Sequence, residues 1–100
     1  MTEQPKKQRQ LLSKDSTPKL KNFVKLRHDK GRDRWVILAP ERILTPDAIS
    51  VEVLNLCNGE RTIAAIAANL AKTYSAPTEV IENDITTMLQ DLSDKGYLTS

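Results

Sequence analysis

The sequence has few of the residues that build catalytic, metal or phosphate sites. Among 100 residues there are one cysteine, one histidine and three glycines. A single cysteine cannot form an internal disulfide, no Cys/His cluster has zinc-ligand spacing, and no glycine-rich phosphate loop is present. Cys57 is expected on the buried side of a helix and His28 beside a hairpin turn, so neither indicates a nucleophile. We therefore expect no enzymatic activity, no metal and no cofactor.

Long apolar segments and aromatic residues are scarce as well. No apolar run approaches the roughly 18 residues of a membrane span, and the N-terminus lacks the apolar region of a secretory signal. Together with the cysteine count, this favours a cytoplasmic protein without a membrane partner. Aromatic residues make up 4% of the chain, too few for a platform on which single-stranded nucleic acid stacks.

The net charge of +2 is unevenly distributed along the chain. Residues 1–42 contain twelve Lys and Arg against five Asp and Glu, a net charge of +7, whereas residues 43–100 contain three against eight, a net charge of −5. Two interpretations stay open. The basic part is either a solvated surface with a flexible tail, or it steers an acidic partner.

One domain is expected, and it follows a basic tail. Residues 1–20 are mostly polar, with Leu11 and Leu12 as their one adjacent apolar pair, which predicts a disordered tail. Residues 21–100 are expected to form the domain.

Three short strands are predicted at the start of this domain. Val24 and Leu26 alternate with cationic residues, and the apolar run Trp35–Leu38 follows a polar link, which is typical of an antiparallel hairpin. Pro40 ends or bends the second strand because proline lacks a ladder donor. Arg42–Leu44 is then a third, very short strand.

Three helices are predicted after the strands. Thr45 is expected to cap the first, with Pro46 as its first residue, and Gly59 to end it. Thr62 is expected to cap the second helix, and the third is expected from Thr78 to Lys95. The expected core-facing positions are Ile49, Val53, Leu56 and Cys57 in the first helix; Ile63, Ile66, Leu70 and Tyr74 in the second; and Ile81, Ile85, Met88, Leu89 and Leu92 in the third, with Leu98 folding back onto them.

The predicted fold is therefore α+β, a small winged-helix-like domain of three antiparallel strands followed by three helices. Winged helices often bind DNA, but here the third helix carries five carboxylates that would repel phosphates: Glu79, Glu82, Asp84, Asp91 and Asp94. The short third strand is expected at a sheet edge, where a peptide can add as a further strand. We favour peptide binding and keep a small DNA-binding regulator as the alternative.

Several segments resemble the pyrroloquinoline quinone biosynthesis protein D family, the peptide chaperones of that pathway. The resemblance covers about Leu26 to Leu98 and leaves the tail before Lys21 outside. The matching segments are Trp35 through Leu44 with Ala39-Pro40-Glu41-Arg42, Leu54 through Thr62, Tyr74-Ser75-Ala76-Pro77, Asp84, and Gly96-Tyr97-Leu98.

This resemblance implies a non-enzymatic recognition domain for a short, ribosomally made precursor peptide. The peptide would lie between the third strand and the third helix, and would be presented to a radical S-adenosylmethionine enzyme. The positions implied on this chain are Arg42, Ile43, Leu44 and Thr45 on the strand and Asp84, Ile85, Thr87, Met88 and Asp91 on the helix.

The basic hairpin is a separate candidate surface. Its exposed charges of one sign are suited to steering the modifying enzyme, and its candidate residues are Arg27, Lys30, Arg32 and Arg34. No nucleic-acid partner is expected. A monomer and a homodimer both stay open, because an edge strand can pair with its own copy as well as with a ligand.

Overall fold

The structure, a computed structural model, describes residues 11–40 and 42–99. Its elements are β1 (Lys19–Leu20), β2 (Lys25–Asp29), β3 (Arg34–Ala39), β4 (Arg42–Leu44), α1 (Ala48–Leu56), α2 (Ile63–Tyr74), α3 (Thr78–Asp94) and β5 (Leu98–Thr99). Strands β2, β3 and β4 form an antiparallel sheet in that order, and β1 pairs with β5 in a second sheet. The predicted α+β class is confirmed. Strands β1 and β5 were not predicted, and the description as a winged helix stays a prediction.

The β2–β3 hairpin forms around the predicted polar link. Asp29 pairs with Arg34 across the two strands, and the Asp29 carboxylate accepts the backbone N–H of Gly31 at 3.1 Å. Asp33 adopts a φ of 51°, a left-handed conformation that aspartate tolerates better than bulkier residues. These turn contacts hold the register that places Ile37, only 3% exposed, in the core.

Successive side chains of β3 point to opposite faces of the sheet. Ile37 and Ala39 face the helices and pack in the main hydrophobic core. Val36 and Leu38 alternate with them and are not part of that core. They therefore form a separate apolar strip on the outer face of the sheet.

The core lies between the three-stranded sheet and the helices. α2 and α3 contribute many of its buried side chains, which include Ile63, Ile66 and Leu70 from α2 and Ile85, Leu89 and Leu92 from α3. The spacing of three or four residues matches one face of each helix, so the predicted apolar faces of these helices are largely confirmed. The exception is Tyr74, which is 44% exposed because its hydroxyl lies at the helix end and donates to Glu52 Oε2 at 2.6 Å.

The start of α1 differs from the prediction. Asp47, not Thr45, caps the helix, and its carboxylate accepts the backbone N–H of Ser50 at 2.8 Å. Ile49 is 56% exposed although Val53, one turn later on the same face, is 1% exposed. The first turn of α1 therefore extends past the core. By contrast, the predicted cap of α2 is confirmed, because Thr62 Oγ1 accepts the backbone N–H of Ala65 at 3.1 Å.

Residues 11–20 do not form the disordered segment that their composition predicts. Leu12 is 8% exposed and Pro18 is among the most buried side chains of the protein. Lys19 and Leu20 pair with Thr99 and Leu98 in the small sheet. The prediction of disorder is therefore wrong for residues 11–20, and residues 1–10 lie outside the described part of the chain.

Hydrogen bonds to backbone groups explain why this polar segment packs. The first N–H groups of a helix have no partner within the helix. At the start of α2, the N–H of Ile63 donates to Ser16 O and the N–H of Ala64 to Lys14 O, both at 2.9 Å. The Leu12 N–H also donates to Gln90 Oε1 on α3 at 2.9 Å. The segment thus ties α2 to α3, and we call it the N-terminal strap (residues 11–20).

Over residues 11–40 and 42–99, no helix combines the length and apolar character needed to cross a membrane.

Candidate functional site

Strand β4 is an edge of the three-stranded sheet, with β3 on one side and no other strand beside it among the described residues. Ala39 pairs with Arg42, and only two residues separate them. In a hairpin with a two-residue loop, the two residues that flank the loop form a hydrogen-bonded pair. Hydrogen-bonded and non-hydrogen-bonded pairs then alternate along the antiparallel ladder. The next pair, Leu38 and Ile43, is therefore non-bonded. Consequently the N–H and C=O of Ile43 point away from β3, toward the open edge.

The side chains of β4 divide between the two faces of the sheet. Leu44 is half-buried and packs against the main core, whereas Ile43 is 67% exposed on the outer face. This is the division expected for neighbouring residues of a strand, of which only one can join the core. Arg42 is exposed at the start of the strand.

A cleft lies between the end of β4 and the C-terminal half of α3. The cleft is open to solvent, and its volume is about 370 Å³. The lining residues are Ile37, Leu44, Thr45, Pro46, Ser50, Leu54, Met88, Asp91, Leu92 and Lys95.

A separate polar hollow of about 410 Å³ lies on α3. That hollow is lined by Thr86, Thr87, Gln90, Asp91 and Asp94.

The cleft brings together only part of the predicted peptide site. Leu44, Thr45, Met88 and Asp91 line it, so the strand and the helix meet where the resemblance places them. Thr87 is exposed and lines the polar hollow instead.

Lys95, which was not predicted as a site residue, also lines the cleft. Its ammonium lies 2.9 Å from Asp91 Oδ2. The spacing of four residues on one helix is the signal that would have paired them. The cleft therefore has an apolar floor and an ion pair at its rim.

A second groove, not predicted from the sequence, lies between α1, the end of α2 and the start of α3. Its volume is about 500 Å³. Its lining residues are Asp47, Ile49, Ser50, Val53, Leu70, Tyr74, Ala76, Val80, Ile81, Asp84, Ile85 and Met88. We call it the α1–α3 groove. Ser50 and Met88 line both hollows, so the cleft and the groove adjoin.

Two predicted helix residues lie in the α1–α3 groove rather than in the cleft. Ile85 is 3% exposed and contributes to its floor, whereas Asp84 is exposed at its rim. The apolar Val80, outside the core face of α3, is the sequence signal that would have indicated an additional surface.

The electrostatics of this groove are set by carboxylates. The backbone N–H of Ser50, followed by its side chain, lowers the pKa of Asp47 by hydrogen bonding to the carboxylate. The hydrogen bond to Glu52 raises the pKa of Tyr74, because the phenol donates to an anion. The lining contains no Lys or Arg. The rim of the groove is therefore negative near pH 7.

The outer face of the sheet is basic around an apolar strip. A shallow hollow there is lined by Arg27, His28, Asp29, Arg32, Arg34, Val36, Leu38 and Ile43. Arg27, Lys30, Arg32 and Arg34 are all exposed, and within residues 11–40 and 42–99 none of these four cations forms an ion pair. Three of the four predicted cations thus line one surface, and Lys30 lies in the adjoining turn.

Neither candidate nucleophile lies in a catalytic arrangement. Burial raises the pKa of the Cys57 thiol to about 12, and its Sγ donates to Val53 O at 3.2 Å. His28 Nε2 lies 3.3 Å from Asp33 Oδ1, and its ring centroid lies 5.2 Å from that of Trp35. In the described part of the chain, no three His, Cys, Asp or Glu side chains are grouped as metal ligands would be.

The open edge of β4 and the adjoining cleft are typical of a small domain that recognises an extended chain. The family model for coenzyme PQQ synthesis protein D (PqqD) matches residues 34–98. The chain belongs to the PqqD family.

Relatives support this assignment over most of the chain. A PqqA binding protein from Bradyrhizobium diazoefficiens is 54% identical over 88 residues, which are 88% of this chain and 85% of the relative. One from Xanthomonas campestris is 39% identical over 87 residues, which are 87% of this chain and 95% of the relative. A match over 88 of 100 residues necessarily includes residues 13–20, so the expectation that the family match excludes everything before Lys21 is wrong.

Solved structures of PqqD proteins are similar to this one. The first is the solution NMR structure of the PqqD truncation of Methylobacterium extorquens PqqCD, a functional and stand-alone recognition element for ribosomally synthesised and post-translationally modified peptides. It has a TM-score of 0.78 and 40% identity, covering 89% of this chain and 95% of that chain. The crystal structure of PqqD from Xanthomonas campestris has a TM-score of 0.53 and 39% identity, covering 84% and 93%.

Proposed function

We propose that this protein is a non-enzymatic peptide chaperone of pyrroloquinoline quinone biosynthesis. It binds the short precursor peptide PqqA and presents it to a radical S-adenosylmethionine enzyme in the cytoplasm. The observation that carries the proposal is the outward-facing backbone of Ile43 beside an apolar cleft. The names of the relatives, PqqA binding proteins, support the identity of the peptide.

The peptide adds as a strand along residues 42–45. Its backbone bonds to the N–H and C=O of Ile43, which gives affinity that depends little on its sequence. Alternate side chains of the peptide point to opposite faces. One set enters the cleft between Leu44 and Met88, and the other lies beside the Ile43 side chain on the outer face of the sheet.

The protein holds the peptide and leaves the chemistry to its partner enzyme. The protonated, buried Cys57 is a poor nucleophile because the thiolate is the reactive form. The basic outer face, with Arg27, Arg32 and Arg34 and the neighbouring Lys30, is the proposed docking surface for that enzyme. Complementary charge accelerates association.

The alternative, a DNA-binding regulator, has one feature in its favour, which is this same basic face. The exposed carboxylates Glu79, Asp84 and Asp91 on α3 would repel phosphates if that helix entered a groove of DNA. Peptide binding is supported by two features, the open backbone edge of β4 and the cleft between β4 and α3.

An NMR titration of the labelled protein with synthetic PqqA peptide tests the proposal. We expect saturable shifts of the backbone signals of Ile43 and Leu44 and of the signals of Met88. A duplex DNA at physiological salt is the comparison ligand and is expected to cause only weak, salt-dependent changes. Saturable binding of DNA without binding of the peptide would favour the regulator.

A further inference from the structure

The α1–α3 groove combines a buried apolar floor with exposed apolar side chains. Val53, Leu70 and Ile85 are at most 4% exposed, whereas Ile49, Tyr74 and Val80 are 44% to 56% exposed. Single exposed apolar residues are ordinary on protein surfaces. Three exposed apolar side chains around one hollow of about 500 Å³ are better explained by a binding site.

The position of the groove indicates an occupant that also contacts β4. Ser50 and Met88 line both the groove and the β4–α3 cleft. A peptide that follows β4 past Leu44 therefore meets these two residues and then enters the groove.

The charge of the rim argues against a second copy of this chain as the occupant. A two-fold interface places the same patch on both sides, which would bring Asp47 and Asp84 of one copy near the same carboxylates of the other. The negative rim instead complements a cation beside an apolar side chain.

We propose that the α1–α3 groove is a second anchor site for the peptide that pairs with β4. It takes an apolar side chain of that peptide, and Asp47 and Asp84 favour a neighbouring lysine or arginine. This inference rests on the proposed peptide-binding function and adds a specificity site to it.

Two groove variants and a matched control test this site. Ile49→Ser and Val80→Ser each remove an exposed apolar side chain of the groove, and Phe23→Ser removes one that is 54% exposed and lines neither hollow. Binding of a fluorescent synthetic PqqA peptide is measured by anisotropy, with circular dichroism to confirm folding. We expect each groove variant to weaken binding about threefold to tenfold, and the control to bind within about twofold of the parent.

Methyl NMR of the parent supplies a measurement that does not depend on the variants. The Ile49 and Val80 methyl signals should shift on titration with the peptide. If the peptide binds the parent but neither variant weakens binding and these methyl signals do not move, the groove site is wrong while the proposed function stands. If the peptide does not bind the parent, both fail. Concentration-dependent self-association that both groove variants abolish would show that a second copy is the occupant and would also overturn the inference.

Discussion

Replacing Ile43 by proline removes the backbone donor that points to the open edge of β4. Because this N–H does not bond to β3, the substitution leaves the β3–β4 ladder intact, and proline is tolerated at such edge positions. Ile43→Ala is the matched control, since it also removes the exposed side chain but keeps the N–H. The two variants therefore differ chiefly in the backbone donor.

The expected effect follows from the loss of one hydrogen bond. A net hydrogen bond contributes roughly 1 kcal/mol, so Ile43→Pro should bind PqqA peptide about fivefold more weakly than Ile43→Ala. Leu44→Pro is a contrasting variant. Because the alternation places the Leu44 N–H toward β3, Leu44→Pro removes a hydrogen bond of the β3–β4 ladder and should destabilise the domain itself.

Calorimetric titration of the peptide into each variant measures this difference, and circular dichroism establishes that each variant is folded. Equal affinities of the folded Ile43→Pro and Ile43→Ala proteins would refute strand addition at this edge. If those equal affinities are both lower than that of the parent protein, the binding energy comes from the Ile43 side chain rather than from its backbone.

Three further predictions concern stability, reactivity and docking. Leu12→Ala should lower the free energy of unfolding by about 2 kcal/mol, whereas exposed Leu11→Ala should change it by less than about 0.5 kcal/mol; denaturant titration compares them. Cys57 should react slowly with a thiol reagent at pH 8 when folded and rapidly when unfolded. Since burial raises its pKa from 9.0 to about 12, the stability due to the neutral thiol is complete below pH 9 and is lost as the pH rises toward 12. Charge reversal of Arg27 and Arg34 should slow association with the partner enzyme in stopped-flow measurements but leave peptide affinity unchanged; equal loss of both would contradict separate surfaces.

Local patterns were sufficient to predict much of the fold. The hairpin follows from alternation around a polar link, and the faces of α2 and α3 follow from helical spacing. Thr62 was identified as a cap because its chemistry acts within three residues. The edge strand at residues 42–44 followed from its length and the preceding proline. In each case the stabilising contact lies close in sequence to the residue that signals it.

The N-terminal strap could not be predicted in the same way. Its backbone carbonyls at Lys14 and Ser16 accept hydrogen bonds from α2, and every residue type supplies such carbonyls. Its polar composition therefore indicated disorder. The same limit applies to the α1–α3 groove, since the exposure of Ile49 depends on where α3 begins relative to α1. Composition and periodicity do not give that relation between distant elements.

The arrangement of the surfaces suggests how one small domain can hold a peptide and still meet an enzyme. The cleft and the α1–α3 groove adjoin along α3, with Asp47, Asp84 and Asp91 among their lining residues, whereas Arg27, Arg32 and Arg34 line the outer face of the sheet. Opposite charges on separate surfaces favour different partners. The Ile43 side chain lies on the outer face, but its backbone faces the open edge, so a strand bound there would border the basic face without covering it. An enzyme docked on the basic face would then lie beside the bound peptide while each partner keeps its own contacts, which is the arrangement that a presenting chaperone needs.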